Sequence, residues 1–257
     1  MFKLVKYDLM SYYKDFLIMV CSVLLLNLAL CTRIGVWKSD AIFSVSLLIS
    51  FAASVVTIIW NLKVFSRDIY EDSGYLLFTL PKSGYSILAS KIITSILQCL
   101  IVAVTMIIIT FLWVELLKVT SGFVLNTREV FNFVIKNTSI SFLIFIILGS
   151  LVSYILFLLT VYLAITLSKV AIKNRKLGKF GSFVIFVILV IIQSKLADSL
   201  ANIFPQSFVL HASSGRNAIE YANSIVNINI AVVILAIAFM AGMFYAASYL
   251  IENKLDL

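Results

Sequence analysis

This chain predicts an all-α fold, a polytopic membrane protein with six transmembrane helices, and three observations predict it. Its 257 residues are 62% hydrophobic and only 12% charged, with a mean hydropathy of +1.11. A water-soluble domain needs more charged surface than that. Six apolar stretches, at about 16–36, 41–62, 87–113, 138–168, 181–197 and 226–251, are almost free of charge. Each is about as long as a helix needs to cross the ~30 Å hydrocarbon core.

Residues 1–15 precede the first stretch. Phe2, Val5, Leu9, Tyr12 and Phe16 recur at spacings of three and four and so share one helical face. Lys3, Asp8, Ser11 and Asp15 are assigned to other faces. The pattern predicts an N-terminal amphipathic helix lying in the membrane interface before the chain turns into the first span. "LALC" at 28–31 resembles a lipoprotein cleavage site, but Leu30 stands where a small residue is needed and Asp8 and Asp15 precede it, so no cleavage is expected. Cys21, Cys31 and Cys99 lie in or at the ends of spans without CxxC spacing and read as packing residues.

An even number of spans places both termini on one side, and the positive-inside rule names it. With the N-terminus inside, thirteen of the 20 basic residues are cytoplasmic. Lys169, Lys173, Arg175, Lys176 and Lys179 form their densest cluster, a topology anchor at the anionic membrane surface. The chain is therefore expected in the cell membrane, multi-pass, with both termini cytoplasmic. Its net charge of +8 reflects topology and membrane lipids, and no nucleic-acid partner is expected.

Outside, Asn126 and Glu129 followed by Val130, Phe131, Val134 and Ile135 predict a short helix on the outer leaflet. Residues 198–225, with Pro205, Gly215 and the sole histidine His211, form the longest external connection. No repeat or linker divides the chain, which reads as a single transmembrane domain over 1–257. In the last stretch Ala238, Gly242 and Ala246 make a small-residue stripe for helix packing, with Met243 beside it facing lipid.

Several chemistries are missing. One histidine without H-E-x-x-H spacing supplies no metal site, and the central parts of the spans hold no ionisable side chain, which argues against an intramembrane hydrolase or an ion-coupled transporter. Asn27, Gln98, Gln193 and Asn229 are the amides inside apolar runs, expected to bond between helices. No G-x-x-x-x-G-K-[ST] is present. No catalytic, cofactor or metal residue is assigned, and the chain does not read as an enzyme.

One polar stretch remains, "NLKVFSRDIYEDSGYLLFTLPKSGYSILASK" at 61–91. Asp68, Glu71 and Asp72 are read near the start of a short helix, where negative charge is favoured. Tyr70, Tyr75, Leu76, Leu77 and Phe78 add aromatic and apolar area. Such anchors in a charged rim suit a protein interface, and they suit equally a loop that only returns the chain to the membrane.

The stretch resembles the segment between spans two and three of ABC transporter permeases of the type-2 exporter class. The resemblance rests on Gly74-Tyr75-Leu76, Thr79-Leu80-Pro81 and Ser90-Lys91 opening the third span. The family usually has Glu directly before that glycine, where this chain has Ser73. The resemblance implies a short cytoplasmic coupling helix within 66–84. A separate ATP-binding subunit, carrying ATP and Mg, would dock there through Arg67, Asp68, Tyr70, Glu71, Asp72 and Tyr75. It also implies a second permease chain, identical or related, since six spans are half of the usual twelve. Small permeases with this signature resemble exporters of antimicrobial or toxin-like peptides. Lipid, polysaccharide or drug export, or a non-transporting scaffold or sensor, are the alternatives.

Overall fold

The computed structural model describes residues 2–70, 83–121, 138–171, 175–211 and 225–253. They form α1 (Phe2–Cys31), α2 (Ser39–Tyr70), α3 (Gly84–Ser121), α4 (Ile140–Ala171), α5 (Arg175–Ile203), β1 (Ser207–His211), β2 (Ile225–Asn229) and α6 (Ile230–Asn253). All six helices are long and apolar enough to cross a membrane, so the chain is an all-α, multi-pass membrane protein.

Each helix follows from its local sequence. No Gly or Pro interrupts α1 or α2, so nothing breaks the backbone ladder. The expected interfacial helix over 1–15 is thus the beginning of α1, continuous with the span after it. Asp8, assigned to another face, is buried beside Val5 and Tyr12; positions 5, 8 and 12 share a face at spacings of three and four. Between α1 and α2 the chain reverses at Gly35, whose φ of +84° is a conformation that glycine adopts without strain. The Arg33 guanidinium lies over the Trp37 ring, 5.7 Å from its centroid, in the same turn.

Three other expectations shift. The third helix runs on to Ser121, and the outer-leaflet helix expected around Asn126–Ile135 falls outside the described residues. The fifth span reaches Ile203 rather than 197. The sixth begins at Ile230, because residues 225–229 form β2, antiparallel to β1, with Ser207 opposite Asn229 and His211 opposite Ile225. Asn229 is therefore not inside a span. Its Oδ1 accepts from the Ala231 and Val232 N–H groups at 2.9 and 3.2 Å, capping the start of α6.

The chain packs as two compact units. The first comprises residues 1–61 and 90–134, the second 62–89 and 135–257. In the first, Val23, Leu30, Ile42, Ala53, Ile109, Trp113 and Leu117 form an apolar core. Asn27 is its polar hub: Oδ1 accepts from Ser46 Oγ at 3.0 Å and from Trp113 Nε1 at 2.9 Å, and Nδ2 donates to Val23 O at 2.9 Å. In the second, Leu158, Leu159, Tyr162, Ala164, Ala247 and Met243 are buried. Gln193 Nε2 donates to Thr160 Oγ1 at 3.1 Å and lies 3.6 Å from the Met243 sulfur, joining α5, α4 and α6. Met243 thus faces inward, and Gly242 has open space where a Cβ would point. That reverses the expected orientation of α6.

Candidate docking segment and its anchors

The segment that carries the Thr-Leu-Pro motif leaves α2 after Tyr70 and rejoins the described chain at Ser83. Residues 71–82 lie outside the described residues, among them Glu71, Asp72 and Tyr75. The other three expected contact residues sit in the last turn of α2. Arg67 belongs there electrostatically, since the carbonyl end of a helix favours positive charge. Asp68 does not open a helix as expected; it lies at the end of one. Asp68 and Tyr70 are buried, at 7% and 2% exposure, so neither side chain stands free at the surface of the chain for a partner. Arg67 is half-buried.

Tyr70 explains its own burial. Its hydroxyl and Ser182 Oγ lie 3.1 Å apart, and Ser182 spends its proton on the Gly178 carbonyl at 2.8 Å, so Tyr70 is the donor. Ser168 Oγ donates to that same carbonyl at 2.5 Å. The ring lies so close to α5 that a Cβ on Gly178 would stand 2.9 Å from Tyr70 Cε1, which makes glycine the residue that fits. Lys169 Nζ covers the ring at 5.6 Å from its centroid. Lys169, expected only as a topology anchor, is thus also part of this site. Lys173 lies outside the described residues. One turn and a half earlier in α2, Phe65 stacks on Tyr162 of α4, centroids 3.8 Å apart.

The far end of the segment is held as well. The Ser83 carbonyl accepts from the Ser86 and Ile87 N–H groups. The Gly84 N–H donates to Glu252 Oε2 at 3.1 Å, so a carboxylate from the end of α6 sits at the positive N-terminus of α3. A Cβ on Gly84 would meet the Ser248 carbonyl at 2.5 Å. Tyr85 packs against Phe244 and Tyr245, with centroids 6.0 and 6.3 Å apart.

Residues 71–83 are therefore bounded by two anchors. One lies on α4 and α5, through Lys169, Ser168, Gly178 and Ser182; the other lies on α6, through Ser248 and Glu252. Sequence reading found Tyr70 and Lys169 but not their partners. Gly178 and Ser182 are small residues four apart, the spacing at which a helix offers a smooth stripe, and that signal was available. Among the described residues no three His, Cys, Asp or Glu side chains gather as a metal ion would require. Protein-family models, curated proteins and solved structures all give no match to this chain.

Proposed function

We propose that the chain is the transmembrane permease subunit of an ATP-driven exporter, in the cell membrane with both termini cytoplasmic, and that a separate ATP-binding subunit docks on the segment after Tyr70. The observation that supports this reading is the double anchoring of residues 71–83. In this reading a push on the segment is delivered to the two residues that flank it, Tyr70 and Gly84, which are both held in place. It passes through Tyr70 to α4 and α5, and through Gly84 to α6. In this reading the docking contacts come from Arg67 and from Glu71, Asp72 and Tyr75, while Tyr70 transmits the movement from within. A second permease chain completes the pathway, and an amphipathic or hydrophobic cargo, a peptide of the toxin or antimicrobial type, suits the apolar helices.

The test is co-purification with an ATP-binding subunit and measurement of its coupled hydrolysis. Replacing Glu71, Asp72 and Tyr75 together by alanine is expected to release the ATPase while the protein still inserts, because no span is changed. Retained binding and coupling in that variant would remove the docking hypothesis. A cysteine at position 174 is expected to react only from the cytoplasmic side.

A further inference from the structure

The first unit has a polar interior at one end. Along α3, Lys91, Thr94, Ser95 and Gln98 fall at the spacing of one helical face, and all four are buried, as is Ser90. Asn61 of α2 and Asp8 of α1 are buried too, and Asn61 Nδ2 reaches Ser95 O at 3.5 Å. From Lys91 to Gln98 this face runs seven residues, about 10 Å along the helix axis. Beyond it the buried positions of α3 are Val102, Ile109, Trp113, Val114 and Leu117, all apolar.

One ion pair stands at the start of this seam. Lys91 Nζ donates to Asp8 Oδ1 at 2.6 Å, Ser90 Oγ reaches Asp8 Oδ2 at 3.4 Å, and the Tyr12 ring lies 5.9 Å from Lys91 Nζ. Burying two charges in a chain so poor in them is costly. For fixing two helices together, apolar residues of the same size would serve as well or better. A charged pair held inside the first unit in spite of that cost therefore asks for a role besides packing. Here the two charges cancel, and the groups behind them are neutral amides and hydroxyls.

We infer that the Asp8–Lys91 pair is a gate. It closes a polar seam between α1, α2 and α3 that admits water and the uncharged hydrogen-bonding portion of a solute when the pair parts. The inference goes beyond the exporter reading and is tested without it. The full-length chain, with Cys21, Cys31 and Cys99 replaced by serine, is placed in lipid vesicles. A small uncharged, water-soluble methanethiosulfonate reagent is supplied on both sides, so orientation does not enter. Ser95→Cys reports on the seam, and Ala53→Cys on the apolar core.

With the pair intact, both positions are expected to react slowly. Asp8→Asn leaves a buried ammonium that must recruit water, and labelling at position 95 is expected to become faster by on the order of tenfold, with position 53 unchanged. The reversed pair, Asp8→Lys with Lys91→Asp, is expected to restore slow labelling. Rapid labelling at 95 with the intact pair would overturn the gate, as would no change on Asp8→Asn. An equal rise at both positions would also overturn it, since that is general loosening.

Discussion

The two ends of the first unit's interior are built on opposite plans. At one, Val23, Leu30, Ile42, Ile109 and Leu117 fill the space, and the amide of Asn27 satisfies Ser46 and Trp113 within it. At the other, Asp8, Asn61, Lys91, Thr94, Ser95 and Gln98 take the same kind of buried position. Lipid tails are as apolar as leucine, so the apolar end gains from close packing rather than from escape from water. The polar end depends on each buried polar group keeping its partner. One end resists the removal of volume, and the other resists the removal of a charge.

Breaking the ion pair should give the largest effect. Asp8→Asn is expected to lower stability in detergent by about 3–5 kcal/mol, because an uncompensated charge stays buried. Replacing both partners, with Asp8→Leu and Lys91→Met, should recover most of that loss. If the single and double variants melt alike, the pair is not the unit that matters at this end.

At the apolar end Leu117→Ala, at a fully buried position, should cost about 2–5 kcal/mol through the cavity it leaves. Trp113→Phe keeps most of the volume and loses the donation to Asn27 Oδ1, so about 1 kcal/mol is expected. Thermal melts of the two variants rank packing against hydrogen bonding directly. A larger loss for Trp113→Phe would mean that the Asn27 hub, and not close packing, organises this end.

The smallest effect is expected outside the comparison. Gly242→Leu points into open space and should change the stability of a single chain by less than about 0.5 kcal/mol. Loss of any crosslinked dimer, with the melt of the single chain unchanged, would place the proposed second permease chain on that face.

These contrasts explain what the sequence let one read. The six spans were legible because length and charge depletion are enough to find them, and the boundaries moved where local chemistry intervened. Apolar and polar residues alternate over Val226, Asn227, Ile228 and Asn229, which is a strand pattern, but these four residues beside a long apolar run were absorbed into it. Orientation about the helix axis was harder. In water an apolar face points inward, whereas in a membrane both faces are apolar, so a small-residue stripe at Ala238, Gly242 and Ala246 could be turned either way. Thr160 and Gln193 were better guides, since a polar group must find a partner inside, and theirs is next to Met243. For the docking segment, the motif drew attention to Tyr70 as an aromatic anchor. Its direction depended on Gly178 and Ser182, more than a hundred residues later, and no local pattern encodes that pairing.

Asn229 has a consequence for how the chain can be cut. Besides capping α6, its Nδ2 donates to the Phe204 carbonyl just past the end of α5 at 2.8 Å, and Ile230 N–H donates to Gln206 O at 3.2 Å. With the five paired positions of β1 and β2, these bonds splice α5 to α6 without using the peptide chain that links them through 212–224. The junction is a non-covalent suture. Two separately expressed fragments, parted within 212–224, carry every one of these bonds between them, and their reassembly measures how far these bonds make up for the high effective concentration that the continuous chain supplies.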